Sequence, residues 1–150
     1  MEEIKQATRI QESIINAVEK KVLKWLADRQ PEWVTSDTMT FLGFIGSVLI
    51  AAGFILSNLG VGWLWLAIAG LVLNWYGDSL DGTLARVRNA QRPVYGYYLD
   101  HGMDVLNELL MFTGVGLSPW VHLNIALMAL VFYLVLTVAQ NINVHLRQEF

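Results

Sequence analysis

The chain has 150 residues, of which 55% are hydrophobic and 15% charged, with a mean hydropathy of +0.44. That balance is too apolar for an ordinary soluble domain of this size and makes a membrane protein the expected class. A net charge of −3 gives no case for nucleic acid or another polyanionic partner, and the lack of cysteine excludes disulfides and thiolate metal sites.

The N-terminus, "MEEIKQATRIQ", is acidic and mixed, unlike a signal peptide. Within residues 1–32, Ile10, Ile14, Val18, Val22, Trp25 and Leu26 recur at helical spacing with lysines alongside. This predicts an amphipathic helix lying in the membrane interface. Residues 33–150 are expected to form an all-α bundle of four transmembrane helices, read in windows of about twenty residues. The spans fall at about 38–57, 59–76, 97–117 and 121–138, and none carries Lys or Arg.

Charge orients these spans. Arg86, Arg88 and Arg92 lie between the second and third, Lys20, Lys21, Lys24 and Arg29 precede the first, and Arg147 follows the fourth. The positive-inside rule then predicts a multi-pass protein with both termini and the Arg-bearing loop in the cytoplasm. Trp63, Trp65 and Trp120 read as anchors at the outer boundary, and Tyr95, Tyr97 and Tyr98 at the inner one.

The anomaly is the stretch "GDSLDGTLARVRNAQRPVYGYYLDHGMD", which places Asp78, Asp81, Asp100 and Asp104 at the cytoplasmic ends of spans two and three. If span two continues as a helix, Asp81, Gly82 and Ala85 fall at about −60°, +40° and −20° from Asp78. Gly96, Asp100 and Asp104 recur every four residues on the next helix, with Asn107 close to their line. Four carboxylates so placed need a cationic partner, and Arg86 can offset only one of them. Oxygen ligands without cysteine suit Mg²⁺ or Mn²⁺, two ions being plausible for four acids, and such ions characteristically bridge to substrate phosphates. Gly82, Ala85 and Gly96 would leave room for a phosphorylated ligand, and Arg86 would hold a phosphate oxygen. The plainer alternative is a set of solvated headgroup-level acids paired with Arg86, Arg88 and Arg92.

The pattern Asp78-x-x-Asp81-Gly82-x-x-Ala85-Arg86, nine residues, then Gly96-x-x-x-Asp100-x-x-x-Asp104 resembles the signature of the CDP-alcohol phosphotransferases, integral membrane enzymes of phospholipid synthesis. Asp37-x-x-Thr40 partly matches a further stretch that in the family lies near the nucleotide. The resemblance implies transfer of a substituted phosphate from a CDP-alcohol, CDP-diacylglycerol foremost, to a hydroxyl acceptor with release of CMP. It also implies metal ligation by Asp78, Asp81, Asp100 and Asp104, with Asp104 as general base, and a CDP-alcohol pocket shaped by Gly82, Ala85, Arg86 and Gly96. Members commonly have six transmembrane helices and form homodimers, so the resemblance implies a further helix pair beyond these four, and a chain ending at Phe150 is expected to be either a truncated, incomplete enzyme or one that a partner chain completes.

Two other classes fit parts of the pattern. A Mg²⁺-dependent intramembrane prenyltransferase also sets aspartates against a diphosphate, but Gly82, Ala85, Arg86 and Gly96 suit it poorly. A divalent-cation transporter would place its acids nearer the midplane. Glu108, the deepest acid of span three, either orients the acceptor or bonds another helix. His101 lies about 100° off the aspartate face and reads as a packing residue, and His122 and Asn124 read as interhelical groups far from the acids.

Overall fold

The computed structural model describes residues 14–149, with side chains from 18 to 143. The regular elements among its described residues are all helical: α1 (Ile14–Ala27), α2 (Ser36–Leu56), a 3₁₀ turn (Val61–Trp63), α3 (Leu64–Val87), α4 (Pro93–Gly116) and α5 (Leu123–Glu149). Two helices, α2 and α5, are long and apolar enough to cross a membrane. Acidic residues dilute the hydropathy of α3 and α4.

Local chemistry sets the boundaries. Thr35 caps α2, its hydroxyl accepting from the Thr38 amide while the Thr38 hydroxyl accepts from the Thr35 amide. The second span was expected from residue 59, yet α3 begins at Leu64, because the chain first makes the 3₁₀ turn. At its other end α3 runs through the whole aspartate motif. It stops where Asn89 takes the left-handed conformation (φ 52°). The amides of Asn89 and Ala90 then return to the carbonyls of Arg86 and Ala85, a Schellman closure. Pro93 opens α4, four residues before the expected start of the third span, since proline is pre-set for the first helical turn.

Packing organises the bundle around α2. Gly43, Gly46 and Gly53 of α2 meet Gly77, Gly70, Asn74 and Ala67 of α3 so closely that a Cβ on Gly46, Gly53, Gly70 or Gly77 would stand under 3 Å from opposing backbone. Small residues thus bring two backbones into direct contact, the packing device available where lipid supplies no hydrophobic drive. Asn74 Nδ2 seals this seam with bonds of 3.0 Å to the Gly43 carbonyl and to the buried Ser47 hydroxyl. On another side of α2, Gly114 of α4 sits against Ala51, and α5 packs on α4.

Helices α3 and α4 each pack closely on α2, and their backbones approach each other less closely. A cleft opens between them over the N-terminus of α2.

The predicted amphipathic helix is present from residue 14, Ile10 lying outside the described residues. Val18, Val22 and Trp25 are exposed, as a membrane-facing stripe requires. Leu26, read as part of that stripe, instead joins Leu23 and Ala27 on a second apolar face, which packs with Val34, Met39, Leu80 and Leu84. Arg88 fastens the following linker, donating to the carbonyls of Gln30, Pro31, Glu32 and Val34.

Candidate metal and diphosphate site

The cleft between α3 and α4 has a volume of about 380 Å³, with Ser36, Thr40, Asp81, Arg86, Gly96 and Asp100 on its walls. Gly82 and Ala85 also line it, so every residue expected to shape a CDP-alcohol pocket borders one cavity. A Cβ on Gly96 would meet nothing within 4 Å, whereas one on Gly82 would touch the Arg86 guanidinium at 3.5 Å. Gly96 thus borders open space, and the Arg86 guanidinium lies along the helix beside Gly82, where Nη2 donates to the Thr83 hydroxyl at 3.1 Å.

Asp78, Asp100 and Asp104 converge: each offers a carboxylate oxygen, and the three oxygens lie within 4.8 Å of one another. Two helices that both pack on α2 thus bring three negative charges together, an arrangement that repulsion opposes unless a cation joins it. The donor set fits a hard divalent ion, being all oxygen and partly open to a ligand.

Asp81 stands outside this group. Its Oδ2 accepts from the Thr40 hydroxyl at 2.7 Å and its Oδ1 from the Gly82 amide, while its backbone carbonyl accepts from the Ser36 hydroxyl. The first turn of α2 therefore holds Asp81 at the cleft floor. The Asp37-x-x-Thr40 spacing had marked Thr40. Ser36 carried no signal beyond being next to that stretch, and neither Gln91 nor Arg92, which also line the cleft, was singled out as a site residue.

The three loop arginines have different partners. Arg88 is taken up by backbone carbonyls, and Arg92 pairs with Asp37 and stacks on Tyr95 at 4.3 Å. Arg86 lines the cleft. None forms an ion pair with the four motif aspartates among the described residues, so the reading of those acids as solvated partners of the loop arginines is not what the geometry gives. His101 packs its ring on Tyr97 at 4.1 Å, with Nδ1 3.7 Å from Asp100 Oδ2. It is a packing group that also touches the acid cluster. His122 and Asn124 lie at the opposite end of the bundle, at the start of α5.

Residues 33–148 match the family model for CDP-alcohol phosphatidyltransferase. The chain belongs to that family. It is also 38% identical over 84 residues to a phosphatidylinositol phosphate synthase of Cutibacterium acnes (strain DSM 16379 / KPA171202), an alignment covering 56% of this chain and 38% of that protein. The match thus spans about two fifths of its relative's length. No solved structure matches the chain significantly. Apolar helices and membership of this family make the chain a membrane protein.

Proposed function

We propose that this member of the CDP-alcohol phosphatidyltransferase family transfers a substituted phosphate from a CDP-alcohol, CDP-diacylglycerol foremost, to a hydroxyl acceptor in phospholipid synthesis. The observation that carries this reading is the convergence of Asp78, Asp100 and Asp104, joined through Asp100 to a cleft whose walls include Arg86, Gly82, Ala85 and Gly96. Family membership favours it over prenyl transfer or ion transport.

In this reading Asp78, Asp100 and Asp104 hold Mg²⁺ or Mn²⁺. Asp81 joins the ligand set on the strength of the motif and is oriented by Thr40 and the Gly82 amide. Bound divalent ions would neutralise the diphosphate and the departing CMP. Arg86 takes a phosphate oxygen, which requires its guanidinium only to leave Thr83. Gly96 and Gly82 admit the cytidine diphosphate to the cleft. Asp104 accepts the acceptor's hydroxyl proton as that oxygen bonds to the phosphorus bearing the diacylglycerol. The bond from that phosphorus to the bridging oxygen breaks, and its electron pair leaves with CMP.

Helices α2 to α5 cross the bilayer, α1 lies on its surface through Val18, Val22 and Trp25, and the cleft opens to the cytoplasm with both termini. The loop arginines, with the lysines of α1, support this orientation. Homodimerisation belongs to the same family-level reading.

The test is to incubate the membrane protein with CDP-diacylglycerol and glycerol 3-phosphate, inositol, inositol phosphate, serine, choline or ethanolamine. CMP release that stops with EDTA and returns with Mg²⁺ or Mn²⁺ is the expected result. Pyrophosphate from a prenyl diphosphate, or ion flux without CMP, would overturn it.

A further inference from the structure

Two polar oxygens beside Asp104 have no role in the transfer described so far. Asn107 is only 8% exposed, and its Oδ1 is buried with no hydrogen-bond partner among the described residues. Glu108 Oε2 is likewise buried and unpartnered, with Tyr133 of α5 facing the Glu108 carboxyl. An unpaired buried acceptor is destabilising, so two side by side call for an explanation.

Their position gives one. Along α4 they lie about 4.5 and 6 Å deeper than Asp104, and in projection they fall about 60° to one side of it and 40° to the other. Asp104 therefore has an acceptor oxygen beneath it on each flank. Asn107 is held on the α2 side of the helix, two turns before Gly114, which rests on Ala51. Glu108 lies on the α5 side, facing Tyr133. Neither oxygen suits the diphosphate, which brings only further acceptors. Both suit a molecule that presents donors.

We propose that Asn107 and Glu108 bind the acceptor alcohol, each taking a hydrogen-bond donor, hydroxyl or ammonium, other than the hydroxyl that reacts. This rests on the phosphotransferase reading above. The acceptor is then a polyol or amino alcohol seated deeper than Asp104, with its reacting hydroxyl directed back toward that carboxylate.

The experiment measures CMP release by the full chain from CDP-diacylglycerol, with glycerol 3-phosphate, inositol, inositol phosphate, serine and ethanolamine as probes. Glu108→Leu is expected to raise the acceptor KM about tenfold or more, leaving the KM for CDP-diacylglycerol within about twofold. Glu108→Gln keeps an oxygen acceptor and removes the charge. It should restore the KM of an acceptor that offers a hydroxyl, and leave it raised for one that offers an ammonium. Asn107→Leu should raise the acceptor KM while melting no lower than wild type, because it removes a buried unpaired amide. A purely structural Asn107 would do the opposite, lowering the melting temperature with the acceptor KM unmoved, and that result overturns its place in the site. An unchanged acceptor KM in Glu108→Leu, or an equal rise for the donor, overturns the inference while leaving the transferase reading intact. Absence of CMP release from the wild type with every probe removes the transferase reading itself, and this inference with it.

Discussion

Gly77→Ala adds one methyl group immediately before Asp78, and the α2–α3 seam determines its effect. An ideal Cβ there would stand 2.4 Å from the Gly43 nitrogen, 2.5 Å from the Met39 carbonyl oxygen and 2.7 Å from the Gly43 Cα. Comfortable contacts for carbon begin near about 3.5 Å, so α3 would have to retreat from α2 by about 1 Å. All three obstacles are backbone, and no rotamer change relieves them. Overpacking of this kind costs about 1–3 kcal/mol, here at the upper end, against about 1 kcal/mol gained from replacing a helical glycine by alanine. The expected net loss is about 2 kcal/mol. Thermal unfolding of the detergent-solubilised protein, followed by circular dichroism, should show a clearly lower midpoint. CMP release should fall more steeply than stability, because the displaced helix carries Asp78 away from Asp100 and Asp104. A variant that melts at or above wild type would refute the argument that direct backbone contact holds α3 on α2.

The same substitution at Gly96 should have the reverse profile: a Cβ there meets nothing, so Gly96→Ala should stabilise α4 by about 0.5–1 kcal/mol, while the KM for CDP-diacylglycerol rises as the methyl group enters the cleft; an unchanged KM would move the diphosphate elsewhere. Asp104→Asn is expected to abolish CMP release while largely sparing CDP-alcohol binding, measured by equilibrium binding of radiolabelled donor, and full turnover would remove Asp104 from the role of base. Arg88→Ala strips the donors from four linker carbonyls and should lower the melting temperature, by an amount equivalent to about 1–3 kcal/mol, with donor KM little changed. A raised donor KM at undiminished stability would instead make Arg88 a phosphate ligand.

Much of the site was legible because its chemistry is periodic. The spacings that put Asp78, Gly82 and Ala85 on one face, and Gly96, Asp100 and Asp104 on another, need only a continuous helix, and α3 and α4 are continuous through them. Asp81 shows where periodicity stops being informative. It lies about 60° from Asp78 on the wheel, close enough to be grouped with it, but the Thr40 hydroxyl on a different helix decides its rotamer. Leu26 was misplaced for a similar reason: α1 has two apolar faces, and a single stripe drawn through Val22, Trp25 and Leu26 crosses from the exposed one to the one packed on Leu80 and Leu84. Arg88 was also opaque, since a guanidinium that binds backbone carbonyls has no partner visible in side-chain chemistry.

The glycines of α2 were the larger omission, and they explain why the cleft exists. Hydropathy counts Gly43, Gly46 and Gly53 as near-neutral filler in an apolar run, yet opposite Gly70 and Gly77 they set how closely α3 approaches. On the other side of α2, Gly114 does the same for α4 against Ala51. With both helices drawn tightly onto one partner and not onto each other, the gap between α3 and α4 is spanned by α2, and the acids face across it. The separation of Asp78 from Asp100 and Asp104 therefore follows the two seams through which both helices pack on α2. Substitutions at Gly43 or Ala51 that remain folded should consequently alter divalent-ion affinity without touching a ligand, which equilibrium Mn²⁺ binding monitored by electron paramagnetic resonance would detect; identical affinity in such a variant would place control of the spacing in the α3–α4 loop instead.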